Sequence, residues 1–282
     1  MLKQRLITGF TLAALMLAVL LYFPLYGVAI VFGVFAIGSL WEWSHLSGIS
    51  SVSVRLLYTL TLTAVGIMLY IDIASGSLEI INIALYLAVV WWLYALVVEL
   101  MINKDQNRGL LKSPYMKLLA GGLIMVPGWA SAVYMHSFTP QLEAGLLFIV
   151  VVVGMSDTAA FFVGRSLGRH KLAPTVSPGK TIEGFAGGLL FVALTAILFG
   201  RLMWAWSWQD VAFLVVISMV AASFGVVGDL VESRIKRLAG AKDSGTLLPG
   251  HGGFMDRTDA FFAASPILAV SLIGFGRMTG KW

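Results

Sequence analysis

The sequence predicts an all-α, polytopic integral membrane protein of about nine transmembrane helices with a cytoplasmic N-terminus. Three observations carry that expectation. Of the 282 residues, 59% are hydrophobic and only 12% are charged, against roughly 25% charged in a soluble globular chain. Mean hydropathy is +0.91. The apolar residues also gather into runs of about 20, the length a helix needs to cross a hydrocarbon core.

In chain order these runs cover residues 6–23, 25–41, 55–73, 80–101, 115–135, 142–164, 182–200, 210–230 and 259–277. Little more than Phe23-Pro24 separates the first two, which predicts a tight hairpin. The "MLKQR" start resembles a signal peptide. However, no A-x-A-like cleavage site follows it and a second span comes at once, so an uncleaved anchor is expected. The runs at 115–135 and 259–277 are the least regular, since each carries proline and small residues. Residues 1–135 read as a lipid-facing scaffold, and residues 136–282 hold most of the polar motifs. Cysteine is absent, which excludes a disulfide framework and a thiolate metal site.

Charge assigns the sides. With the N-terminus inside, segments 1–5, 42–54, 102–114, 165–181 and 231–258 are cytoplasmic, and with adjoining helix ends they hold sixteen of the nineteen Lys and Arg residues. Only Arg201, Arg277 and Lys281 lie outside. This is the positive-inside pattern, so the net charge of +5 reports orientation and not a nucleic-acid partner. Acidic residues contribute little to orientation. Yet Glu42, Glu99, Asp105, Asp157, Glu183, Asp229, Glu232, Asp243, Asp256 and Asp259 all fall on the same side. Both signs of charge on one face predict a polar site there.

Three segments could build that site. In "GMSDTAAFFVGRSLGRHK", 154–171, Asp157 lies about two turns inside the end of a span. Burying it costs about 2.5–3.5 kcal/mol on insertion scales, so it needs a task or a partner, such as Arg165 or a cation from another helix. In "PTVSPGKTIEGFAGG", 174–188, Gly179-Lys180-Thr181 echoes a phosphate loop. The earlier glycine that such a loop requires is Pro174, and no strand is expected ahead of it, so a nucleoside triphosphatase fold is excluded. What remains is Lys180 at the mouth of a helix starting near Thr181, which is either an ordinary capped basic loop or a phosphate site.

The third segment runs through "GDLVESRIKRLAGAKDSGTLLPGHGGFMDRTDA", 228–260. Ser233, Lys236 and Arg237 share a helical face with Asp229, and Asp256 shares one with Asp259. Three carboxylates and several cations at neighbouring helix ends suit a phosphate ligand. Mg²⁺ takes one or two carboxylates plus phosphate oxygens, while Lys and Arg neutralise the remaining charge. The glycines at 250, 252 and 253 let the backbone approach a ligand, and His251 could touch phosphate. A solvated, capped basic loop would explain the cations but not the carboxylates at the membrane border.

The stretch Ser233–Asp259 resembles the signature of the phosphatidate cytidylyltransferases, S-x-φ-K-R-x4-K-D-x-small-x2-φ-P-x-H-G-G-φ-x-D-R-x-D, where φ is apolar, and meets every fixed position over 27 residues. "SDTAAFFVGRSLGRHKLAPTVSPGKTIEG" and "WEWSHLSG", 41–48, look like further blocks of that family. The resemblance implies a bacterial inner-membrane enzyme with its site facing the cytoplasm. It would join CTP to phosphatidic acid with Mg²⁺, releasing pyrophosphate, and it would be a homodimer. The resemblance places the metal on Asp229 and Asp256, with room for a second cation and with Asp259 as a further ligand or supporting group. Lys236, Arg237, Lys242 and Arg257 would hold phosphate, and Ser233 would bind phosphate or orient Lys236. Asp157, Lys180, Asp243, His251, Gly252 and Gly253 would complete the pocket. A transporter would instead place its site near the midplane, often between repeated halves, and no repeat is visible here. A lipid kinase would differ in using ATP.

Overall fold

The structure, a computed structural model, describes residues 16–102, 109–137, 140–247 and 252–280. Among these, eight helices are long and apolar enough to cross a membrane. The expected first span lies largely outside the described residues, but its final part, 16–22, is helical (α1). Phe23 and Pro24 then turn the chain into α2 (Leu25–Leu46), with Pro24 extended at the helix start.

Helix α3 (Val52–Ser75) begins at Ser51, whose hydroxyl accepts from Val54 N–H, and stops at Gly76 with φ 75°. Glycine takes that left-handed conformation without steric cost. Helix α4 (Glu79–Tyr94) widens into a π-helical stretch, Ala95–Ile102. Next comes α5 (Pro114–Ser137), followed by α6 (Pro140–Leu167). A hairpin of β1 (Lys171–Ala173) and β2 (Ser177–Thr181) leads into α7 (Ile182–Leu198). Last are α8 (Trp208–Leu238) and α9 (Met255–Thr279).

The fold is therefore all-α and polytopic, with one correction. A strand does precede Thr181, because residues 171–181 close into an antiparallel ribbon with Lys171 opposite Thr181. It is a two-stranded loop and not the parallel sheet of a nucleotide-binding α/β fold. Thr181 caps α7 through Gly184 N–H at 3.1 Å, as the helix start near Thr181 predicted.

Helices α5 and α9, read as the least regular spans, are the centre of the bundle. Each is 78% buried over its apolar window, against 28% for α3. Their prolines and small residues serve that position. Pro127 and Pro266 lie within the helices, and Ser131 and Ser265 bond to each other at 2.8 Å and both donate to Gly128 C=O. Neighbouring helices and hydroxyls thus satisfy a backbone that prolines interrupt. The outward apolar side chains of α3, such as Leu57, Ile67 and Ile71, then face lipid.

Small residues also set how close helices come. A Cβ at Gly187 would strike Val163 at 2.6 Å, and one at Gly184 would strike Ala160 C=O at 2.7 Å, so α6 and α7 touch nearly backbone to backbone. Gly188 faces Ser156, Gly121 faces Trp43 and Tyr58, and Gly122 faces Leu62. Their closeness is used within the chain. At the far end from the charged loops, Trp204 stacks near Trp206 at 4.7 Å and Arg201 lies over Trp208, an aromatic collar of the kind found at membrane interfaces.

Candidate active site at the polar end of the bundle

Helices α2, α6 and α8 end at one face of the bundle, where α5, α7 and α9 begin, and the charged residues gather there. Two of these helices run further than hydropathy suggested. Helix α8 continues past residue 230 to Leu238, and α2 continues past 41 to Leu46. The extra turns carry Glu232, Ser233 and Lys236 on α8 and Glu42 on α2. Helix α6 reaches Leu167, which places Asp157 closer to three turns than two from its end.

Helices α8 and α9 meet at glycine. A Cβ on Gly228 would lie 2.7 Å from both Ala263 Cβ and Asp259 C=O, and Gly225 faces Ala260. That close crossing brings Asp229 beside Asp259. Carboxylate oxygens of Asp229, Glu232 and Asp259 lie within 4.8 Å of one another. Lys180, carried in by β2, reaches Asp229 Oδ2 at 2.7 Å. Ser233 Oγ donates to Asp229 Oδ1 at 3.2 Å. Asp157 lies in the field of Lys180 and Asp229. Four residues expected from separate parts of the sequence, Asp157, Lys180, Asp229 and Asp259, therefore converge.

Asp256 occupies a different setting. Its Oδ1 receives Lys236 Nζ at 2.7 Å, and its Oδ2 accepts from Ser244 N–H at 3.0 Å and Gly253 N–H at 2.8 Å. Lys236 also binds Glu232 Oε2 at 2.7 Å, so this lysine links the two settings. Gly252, at φ 80°, and Gly253 allow the approach, since a Cβ on Gly252 would fall 2.7 Å from Asp256 Oδ2. The glycines present the loop backbone to Asp256.

Glu42 completes that arrangement from α2. It is 3% exposed and accepts from Ser244 Oγ at 2.9 Å, Phe254 N–H at 3.1 Å and Met255 N–H at 3.1 Å. Sequence reading noted its motif but assigned it no site role. Glu232 was also missed as a site residue, although its spacing of three from Asp229 puts both on one face. Arg237, Lys242, Asp243 and Arg257 are exposed at the rim, with Arg237 donating to Ala241 C=O at 3.4 Å. Arg165 is exposed as well. His251, and the acidic Glu99 side chain and Asp105, lie outside the described residues.

One feature marks the cluster as unfinished. Glu232 is 2% exposed, yet among the described residues its Oε1 has no hydrogen-bond partner. Buried polar atoms are nearly always paired, because losing hydration without replacement is costly. Three carboxylates around such an atom form a hard-oxygen donor set for a divalent cation. A polytopic helical bundle with a phosphate-suited, carboxylate-lined site at one end defines a membrane-embedded enzyme class.

The sequence comparisons agree with that definition. The family model for the cytidylyltransferase family matches residues 3–274, and the chain belongs to that family. It is a nucleotidyltransferase. The chain is 32% identical to a phosphatidate cytidylyltransferase of Haemophilus influenzae over 286 residues, covering 95% of this chain and 98% of that one. It is 35% identical to a phosphatidate cytidylyltransferase of Pseudomonas aeruginosa over 280 residues, covering 98% of each. A phosphatidate cytidylyltransferase of Staphylococcus saprophyticus is 43% identical over a shorter stretch of 134 residues, covering 45% of this chain and 48% of that one.

Proposed function

We propose that this protein transfers the cytidylyl group of CTP to phosphatidic acid, giving CDP-diacylglycerol and pyrophosphate for phospholipid synthesis. The reading places it in a bacterial inner membrane with the polar end facing the cytoplasm, where CTP is found. Family membership and the relatives' names support the substrates. The distribution of Lys and Arg supports the orientation. The observation that carries the chemistry is the grouping of Asp229, Glu232 and Asp259 around an unpartnered buried oxygen.

The reaction is a displacement at the α-phosphorus of CTP. A phosphate oxygen of phosphatidic acid forms the new P–O bond, the bond to the bridging oxygen breaks, and the electron pair leaves with pyrophosphate. The attacking phosphate is already ionised near neutral pH, so no side chain need take a proton from it. Such transfers depend on positioning and charge neutralisation.

Asp229, Glu232 and Asp259 are the residues that would hold Mg²⁺, which would neutralise phosphate charge and orient phosphate oxygens. Asp229, expected as a ligand from the sequence, keeps that role here. Asp256, the other expected ligand, is occupied by Lys236 and two loop N–H groups, and its proposed task is to fix the loop. Lys180 sits at the cluster's edge, where it can exchange Asp229 for a phosphate oxygen. Ser233 orients Asp229. Asp157, exposed on α6 beside the outward Phe161 and Phe162, stands where a lipid would enter from the bilayer.

Pyrophosphate release by the purified protein in detergent tests the proposal. Release should need phosphatidic acid, CTP and Mg²⁺ together and should vanish in Asp229→Asn. Absence of release from folded protein under every condition would overturn it.

A further inference from the structure

The hairpin that delivers Lys180 to the carboxylate cluster has a weak ladder. β1 has three residues and β2 five, and they register Lys171 with Thr181 and Ala173 with Ser177 across an irregularity. Pro178 takes a backbone donor out of β2. A two-stranded hairpin by itself is marginal in water. Lys180 nevertheless arrives at one place, 2.7 Å from Asp229 Oδ2 on α8.

The base of the hairpin supplies the order that the ladder lacks. Thr181 sits in a crevice lined by glycine, where a Cβ at Gly164, Gly168 or Gly184 would come within 2.9 Å of its Oγ1. Ile182 N–H donates to His170 C=O at 2.9 Å. Glu183, in the first turn of α7, reaches back across the same base. Its Oε2 accepts from Arg169 N–H at 3.0 Å and from His170 N–H at 3.2 Å, and its Oε1 lies 2.6 Å from His170 Nδ1. The imidazole is 74% exposed, so that pairing adds little. The two backbone contacts matter more, since hydrogen bonds to an ionised acceptor are the strong ones. They tie the residues just before β1 to the helix that follows β2, so one carboxylate fixes both ends of the hairpin. Successive side chains of a strand point to opposite faces. With Thr181 seated between α6 and α7, Lys180 turns the other way, toward α8.

We propose that Glu183 is a positioning residue, closing the base of the hairpin so that Lys180 Nζ is held at the Asp229 edge of the cluster. It acts through Lys180 and not by touching a reacting group. This role presupposes that Lys180 meets phosphate in the proposed transfer reaction.

Two measurements test it, one of which needs no turnover. The chain has no cysteine, so spin labels on Thr175→Cys at the hairpin turn and Ala239→Cys just past α8, both exposed, report the hairpin's placement directly. The parent protein should give one narrow distance distribution, and Glu183→Ala should broaden it. Glu183→Gln, which keeps an acceptor for the two N–H groups, should restore most of the narrowness, and His170→Ala should change it little. Pyrophosphate release then shows whether the effect runs through Lys180. Glu183→Ala should lower kcat/KM at least about tenfold alone, as misplacement of a catalytic contact does, yet less than about twofold in a Lys180→Met background, since coupled residues are not additive. An unbroadened distribution in Glu183→Ala, or equal losses in the two backgrounds, overturns the proposal. So does loss of the folded state in Glu183→Ala, which would make Glu183 merely structural. Broadening without any pyrophosphate release from the parent protein supports the clamp and counts against the reaction alone.

Discussion

Two sets of carboxylates stand a few residues apart at the polar end of the bundle, and the chain treats them in opposite ways. Glu42 and Asp256 are supplied with donors from Ser244, Gly253, Phe254, Met255 and Lys236. Their charge is spent on holding one loop against α2 and α8. Asp229, Glu232 and Asp259 are drawn together with Lys180, Ser233 and Lys236 as neighbours, and one buried oxygen of Glu232 is left over. Carboxylates are costly to bury. A set that is saturated reads as structure, whereas a set that retains acceptor capacity reads as a place for a ligand.

Substitutions in the two sets should separate along that line. The largest effect is expected from Asp229→Asn, which should cut pyrophosphate release by at least about 100-fold while leaving apparent Tm within a few degrees, since phosphate-transfer sites depend on such charges. An Asp229→Asn protein that is unfolded but active when refolded would erase the distinction. Glu42→Ala comes next, now read in stability. It strands buried N–H groups of Phe254 and Met255, at about 1–3 kcal/mol for each unsatisfied group. Thermal unfolding in detergent should show a marked fall, and Glu42→Gln, which keeps an acceptor, should recover part of it.

The comparison sharpens with Glu232→Gln against Asp256→Asn. Glu232→Gln should raise the Mg²⁺ concentration for half-activation by about 10-fold with little loss of stability, because it removes a charge that lacks a full set of partners. Asp256→Asn should lower apparent Tm and activity together without moving that Mg²⁺ midpoint. The reverse pattern would return Asp256 to the metal. Gly228→Val tests the crossing that builds the cluster. Overpacking of this kind costs about 1–3 kcal/mol, and it should lower apparent Tm and activity in step. The smallest effect is expected from Leu57→Ile on the outward face of α3, within about 0.5 kcal/mol.

Much of the bundle was legible because a bilayer imposes one rule on every span. Apolar runs of sufficient length gave each of the eight candidate spans among the described residues. The helix ends at the polar face were not legible. Hydropathy stops at the first charges, so α2 seemed to end before Glu42 and α8 before Glu232. Glu42 finds its partners by tertiary contact, with donors more than 200 positions away, while Glu232 pairs with Lys236 one turn further along α8. The hairpin at 171–181 escaped notice for a related reason. Its strands are short, with no alternating pattern to betray them.

The site divides in the same way. The sequence by itself determined a membrane-spanning helical protein, the helices that carry its charges, and the candidates Asp157, Lys180, Asp229, Asp256 and Asp259. It could do so because periodicity fixes which face of its own helix a side chain occupies. Only the tertiary structure decided that Asp229 would join Glu232 and Asp259 while Asp256 turned to Lys236 and the loop. Those choices depend on how closely α8 and α9 cross at Gly225 and Gly228, and on which loop N–H groups arrive first at each oxygen. Neither is encoded in the spacing along any one helix.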